Sequence, residues 1–259
     1  MLLAMLLMFH PIWAAQKAEI DPQTLQNIVQ RSVKIERAWG SQMNSPGASA
    51  DVTEIYRKPG QGQTLVAYHV SVHGLPSDKI YILAKTEIVT GKVTPVLQGV
   101  TLGKDGLLIC AGRENTCGDA EKPDDPIDLV LPAQKGEGHH LAVISEDGQS
   151  KAFFMITPFP DIATDHGCTL ELRRLMPQAA LVYAKASGFS PGETVKLESA
   201  SEIESHDGAV RADSDGTWDS AFLPAVKGMQ SGKFRVTARG KSCAPSATMD
   251  WGPASNHNE

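Results

Sequence analysis

Leu131-Pro132-Ala133-Gln134-Lys135-Gly136 returns 92 positions later as Leu223-Pro224-Ala225-Val226-Lys227-Gly228. A chain that writes one segment twice is constrained to two copies of one folding unit, because each copy must bury the same pattern. The same offset pairs Gly148 with Gly240, Ser150 with Ser242 and Ala152 with Ala244. Further upstream the spacing widens: Gly74-Leu75 matches Gly188-Phe189 at an offset of 114, so the first copy is longer by 22 residues. The turn Lys104-Asp105-Gly106, matched by Ser214-Asp215-Gly216, places 18 of them within 107–130. Insertions into duplicated scaffolds sit in surface loops, where specific contacts are most often added. The candidate contact residues in this insertion are Arg113, Glu114, Asn115, Asp119, Glu121, Asp124 and Asp125.

Residues 1–15, MLLAMLLMFHPIWAA, form an apolar run ended by a proline and two alanines. It is too short to span a bilayer and has the form of a signal peptide, with cleavage after Ala14 or Ala15, although the usual early Lys or Arg is missing. Export to the periplasm or beyond is the expectation. No later segment is apolar enough to cross a membrane. About 244 residues would remain, enough for two domains. With a formal charge of −6 and scattered lysines and arginines, the chain lacks the concentrated basic face that nucleic acid requires.

Four cysteines in an exported chain point to two disulfides, for which three connectivities are open. Proximity favours Cys110 with Cys117 inside the insertion, and Cys168 with Cys243 across the second copy. The paired C-x2-4-C spacing of structural zinc is missing.

Asp21 followed by Pro22 reads as a helix N-cap with proline at the first helical position. Leu25, Ile28, Val29, Val33 and Trp39 then recur at helical spacing until Gly40, predicting a helix over 22–39 that packs on the first module or on a partner. From about residue 50 the period becomes two. Val66, Tyr68, Val70 and Val72 alternate with polar or small residues, as do Phe234, Val236 and Ala238, and turn signals recur at the density of a β-sandwich. The expectation is an all-β chain. Its layout is a signal peptide at 1–15, a helix and connector at 16–45, a first module at 46–160, a linker at 161–167, a second module at 168–252 and a tail at 253–259.

The second module contains Gly188-Phe189-Ser190-Pro191-Gly192-Glu193-Thr194-Val195, then Asp213-Ser214-Asp215-Gly216-Thr217-Trp218. These strand-entry and turn motifs resemble the Ig-like repeats of bacterial secreted and surface proteins, well over 168–252 and loosely over 64–156. The resemblance implies two tandem Ig-like antiparallel sandwiches used for spacing, adhesion or display, with no catalytic residue to carry over. Trp218 lies fifty positions after Cys168, unlike the tryptophan of an antibody-type core.

Candidate chemistry is sparse. Gly188 to Gly192 satisfies G-x-S-x-G, but Pro191 has no N–H to offer an oxyanion hole and no helix follows. His69 and His73 stand about 13 Å apart on one strand, too far to share an ion, and His139 and His140 point to opposite faces. Asp213, Asp215 and Asp219 match half of a calcium loop whose twelfth position is Pro224 rather than glutamate. The acids at 119, 121, 124 and 125 are a somewhat better cation candidate, although clustered surface acids are usually just solvated. No metal or cofactor is called for. The expected function is that of a non-catalytic binding or structural protein with an unidentified protein or envelope partner. A hydrolase without a sequence signature, or an accessory subunit of an envelope complex, are the alternatives.

Overall fold

A computed structural model of the protein describes residues 21–40, 42–60, 64–110 and 125–253. Helix α1 spans Pro22–Ala38, one residue short of the expected end. Asp21 caps it, its carboxylate accepting from the backbone N–H of Gln23 (3.0 Å) and Thr24 (3.1 Å). Trp39 is extended and Gly40 takes φ +87°, which ends the helix.

Eight strands follow as a first sandwich: β1 (Ser49–Pro59), β2 (Thr64–His73), β3 (Tyr81–Thr86), β4 (Val93–Leu102), β5 (Leu108–Cys110), β6 (Leu129–Ala133), β7 (His139–Ser145) and β8 (Lys151–Ile156). One sheet runs β1-β2-β6 and the other β5-β4-β3-β7-β8. Strand β2 shows why they close. Val66, Tyr68, Val70 and Val72 all face the core, with Leu83, Val100, Leu141 and Phe154 opposite, and the polar residues between them face outward.

The second sandwich comprises β9 (Asp161–Asp165), β10 (Cys168–Arg174), β11 (Val182–Ser187), β12 (Thr194–Ser201), β13 (Glu204–Arg211), β14 (Trp218–Phe222), β15 (Gly232–Arg239) and β16 (Ser246–Trp251). Its sheets run β14-β11-β10-β9 and β13-β12-β15-β16. Leu170, Leu172, Val195, Trp218, Val236 and Met249 build a separate core. Cys168 is bonded to Cys243, tying the start of this unit to its end across 75 residues.

The topology is that of a duplication: β6-β2-β1 corresponds to β14-β11-β10, and β4-β3-β7-β8 to β13-β12-β15-β16. Even the turn bonds recur. Gly103 N–H donates to Leu107 O and Gly106 N–H to Gly103 O, both at 2.9 Å, as Asp213 donates to Thr217 (2.8 Å) and Gly216 to Asp213 (3.2 Å). Gly74 and Gly188 are equivalent for a steric reason. At positive φ, a Cβ would stand 2.1 Å from Gly47 O in one copy and 2.3 Å from Gly167 O in the other.

The offset of 92, by contrast, does not align the copies residue by residue. Leu131 is in the core, but Leu223 is 45% exposed and Val226 is buried instead. Likewise Ala152 is a core residue of β8, whereas Ala244 lies in the loop before β16. Because side chains alternate, a slip by an odd number of residues exchanges core and solvent faces, so burial overrules the match of letters.

The segment expected as a linker, 161–167, is also corrected. Its first five residues form β9, registered on β10 from Asp165↔Cys168 to Asp161↔Leu172. Pro158 and Pro160 interrupt pairing only before β9, and the turn between the strands is made by His166 and Gly167, both at positive φ. The insertion lies between β5 and β6, whose entry and exit are held by Ile127 N–H donating to Leu108 O (2.9 Å).

Candidate functional site

Helix α1 does not pack as its apolar stripe implied. Leu25, Ile28, Val29 and Val33 are half-buried, while Ser32 and Glu36 are the buried residues of the helix. The cause lies in what the helix covers. On the outer face of the β14-β11-β10-β9 sheet, cross-strand neighbours Arg173↔Tyr183, Glu171↔Lys185 and Lys185↔Asp219 form a polar patch, because the alternate positions Leu172, Ala184 and Trp218 are committed to the core.

Glu36 lands on this patch and joins three parts of the molecule. One oxygen accepts from Arg173 Nη1 of β10, and the other is 2.7 Å from His140 Nε2 of β7. All three side chains are at most 7% exposed. Burial alone would raise the Glu36 pKa, but the hydrogen bond and charge of His140, together with the charges of Arg173 and Lys185, outweigh it and hold the carboxyl below its ordinary value. The Arg173 guanidinium also lies 5.0 Å from the Tyr183 ring centroid. Its Nε is 3.2 Å from Glu171 Oε1 without hydrogen-bond geometry, so Glu171 contributes charge and not a directed bond.

A second cluster continues from the first. Tyr183 donates its hydroxyl to Asp219 Oδ2 (2.6 Å), and Arg37 embraces the same carboxylate through Nε and Nη2. Burial and then the Asp219 carboxylate push the Tyr183 pKa far up, so it stays a donor at any biological pH. Trp39 completes the helix end, donating Nε1–H to Phe154 O (2.9 Å) with its ring edge-on to His140 and Phe153. Beside these residues an open groove of about 860 Å³ runs between the helix, β8 and the second sandwich. Elsewhere the two units meet through the β6–β7 turn, where Arg174 N–H donates to Gly136 O and Gly136 N–H to Phe159 O, both at 2.7 Å.

Of the described residues singled out from the sequence as candidate chemistry, three belong to this junction or its groove. Arg113, Glu114, Asn115, Cys117, Asp119, Glu121 and Asp124 fall outside the described residues, and with them the Cys110–Cys117 pairing and the acidic cation candidate. Asp125 is exposed, and Cys110 is not a free thiol. Ser190 is an exposed turn residue whose N–H donates to Glu193 Oε2 (3.0 Å), with no helix after it. His69 and His73 pair separately with Asp128 (2.9 Å) and Asp51 (3.1 Å).

The three are His140, Asp219 and Asp213, the last lining the groove. Asp219 is held by Arg37 and Tyr183, and Asp213 by its own turn, accepting from Asp215 N–H (3.0 Å), Thr217 N–H (2.9 Å) and Thr217 Oγ1 (2.7 Å). Neither is available as half of a calcium loop. Among the described residues no cluster suited to a metal occurs. His140 is the ligand of Glu36, a role its doublet with His139 concealed. His139 is fully buried, and Pro132 O faces its ring outside hydrogen-bond geometry. Glu36 and Arg173 carried no motif; Arg173 follows the ordinary alternation of β10, whose outer face also carries Thr169 and Glu171.

No family model matches the chain, and no curated protein does. Among solved structures it is similar to a tetra-tandem repeat in the extending region of a large adhesion protein, at 11% identity and a TM-score of 0.25, with 78% of this chain and 49% of that one covered. This chain therefore spans about half the length of that structure. It is also similar to a DUF3823 family protein from Bacteroides ovatus, at 8% identity and a TM-score of 0.18, with 79% of this chain and 96% of that one covered.

Proposed function

We propose that the chain is an exported, non-catalytic protein of the bacterial envelope or extracellular space, in which two Ig-like sandwiches are held at a fixed mutual orientation to space or present a binding surface. The observation that carries this reading is Glu36, whose carboxylate is shared between His140 of the first sandwich and Arg173 of the second. A buried ion pair contributes little net stability over an apolar substitute, but it is satisfied in one geometry only. That suits a rigid spacer. Export is supported by the apolar run at 1–15 and by the Cys168–Cys243 bond, which belongs to oxidising compartments. The insertion, with Arg113, Glu114, Asn115, Asp119, Glu121, Asp124 and Asp125, is the part assigned to protein contact.

The hydrolase alternative has one observation in its favour, a histidine hydrogen-bonded to a carboxylate next to a groove. Against it, both Glu36 oxygens are engaged and the pair is buried, so neither side chain reaches a substrate. The test is expression of the full chain in a bacterium, followed by fractionation and non-reducing peptide mapping. Recovery outside the cytoplasm with 168 joined to 243 is expected. Cytoplasmic retention with free thiols overturns the reading.

A further inference from the structure

We propose that the groove beside α1 is a binding site for a small anionic ligand, one presenting carboxylate or phosphate oxygens together with a ring or apolar part. At about 860 Å³ it has the size of a small-molecule site. The decisive feature is which of its charges are already used. Every lining carboxylate is spoken for: Glu36 by His140 and Arg173, Asp219 by Arg37 and Tyr183, Asp213 by the 213–217 turn. The lining cations are not all used. Lys185 and Arg211 are exposed; Lys185 makes no close ion pair with a described residue, its charge acting at longer range on Glu36, Asp213 and Asp219, and Arg211 spends only Nε, on Gly192 O at 3.2 Å.

Exposed cations whose N–H groups are not spent on close ion pairs favour a negatively charged ligand made of acceptors. Half-buried Trp39 supplies a ring beside them. The inference is independent of where the protein works, so its failure leaves the spacer reading untouched.

The experiment titrates the full-length protein with inorganic phosphate, with a uronic-acid disaccharide and with the neutral parent of that disaccharide, following tryptophan fluorescence. Saturable binding of at least one acidic probe is expected, and its identity tells phosphate from carboxylate. The neutral sugar is expected to bind at least tenfold more weakly. Lys185→Ala with Arg211→Ala is expected to weaken the acidic probe at least tenfold while the thermal midpoint stays put, and Lys227→Ala, away from the groove, to change nothing. Lys185→Gln alone gives an intermediate loss if the double variant folds poorly. The proposal is overturned if no acidic probe saturates, if the neutral sugar binds equally well, or if the Lys185 and Arg211 variants bind as the wild type does.

Discussion

Glu36 is buried against Arg173 and His140, so removing its charge takes away the hydrogen-bonded counter-ion of the Arg173 guanidinium and leaves it only Glu171, at 3.2 Å and without a directed bond. Glu36→Gln is expected to destabilise the protein by about 3 kcal/mol, read from denaturant unfolding at pH 7. A loss below about 1 kcal/mol would mean that the site is better solvated than its burial indicates. Its pH signature follows from the sign of the shift. The folded pKa is depressed, so the contribution is present above the ordinary glutamate value and is lost as pH falls through the folded one. His139 acts higher on the scale. Burial, then the charge of Lys85, lowers its pKa from 6.5 to about 4. The unfolded chain therefore takes up a proton that the folded chain refuses, and stability should fall by about 3 kcal/mol as pH drops from 6.5 to 4. His139→Leu is expected to remove that slope while leaving stability at pH 7.5 within about 1 kcal/mol, since no satisfied hydrogen bond is lost. An unchanged slope in the variant would assign the acid sensitivity elsewhere.

The elements explain which parts of the duplication were legible. Strand alternation was strong enough to place Val66 to Val72 and Phe234 to Ala238 in their cores, because period two survives any error of pairing. The equivalence of Gly74 and Gly188 was legible as well, for each meets a carbonyl that no Cβ can approach. Gly188→Ala should cost more than about 2 kcal/mol, combining strain at positive φ with a backbone clash; a thermal midpoint near that of the wild type would show that the β11–β12 turn relaxes. The disulfide acts on the same unit through the unfolded chain. Closing a loop of 75 residues corresponds to about 4.5 kcal/mol in the chain-entropy model. Cys168→Ser with Cys243→Ser should lower stability by about that amount and leave the β-sheet circular dichroism of the folded state intact. A loss below about 1 kcal/mol would show that the unfolded chain is already compact there. Less legible was β9, since the prolines at 158 and 160 and the short run after them read as a linker, and only pairing with β10 makes that run a strand.

For the whole molecule, α1 and the β6–β7 turn are two places where the sandwiches are joined. The sequence neighbour of α1 is the first sandwich, yet Glu36 and Arg37 reach Arg173 and Asp219 of the second. Deleting 21–40 should leave both cores formed but expose Arg173 and open the junction, and small-angle scattering should then show a larger radius of gyration. A profile identical to the full chain would locate the lock in the β6–β7 turn instead.

Period, turn chemistry and capping are local, and local physics acts on neighbours in the chain. The sequence alone therefore determined that this is an all-β protein with a capped N-terminal helix, a repeated unit and a long insertion in one copy. It could not align the copies, because a hexapeptide match is indifferent to the odd slip that reverses inside and outside. Nor could it find the Glu36, His140 and Arg173 cluster, whose members stand 104 and 137 residues apart. That cluster exists because a polar sheet face on one sandwich and a polar helix residue before the other are brought together and deprived of water. Such an arrangement is a property of packing, and the tertiary structure alone decided it.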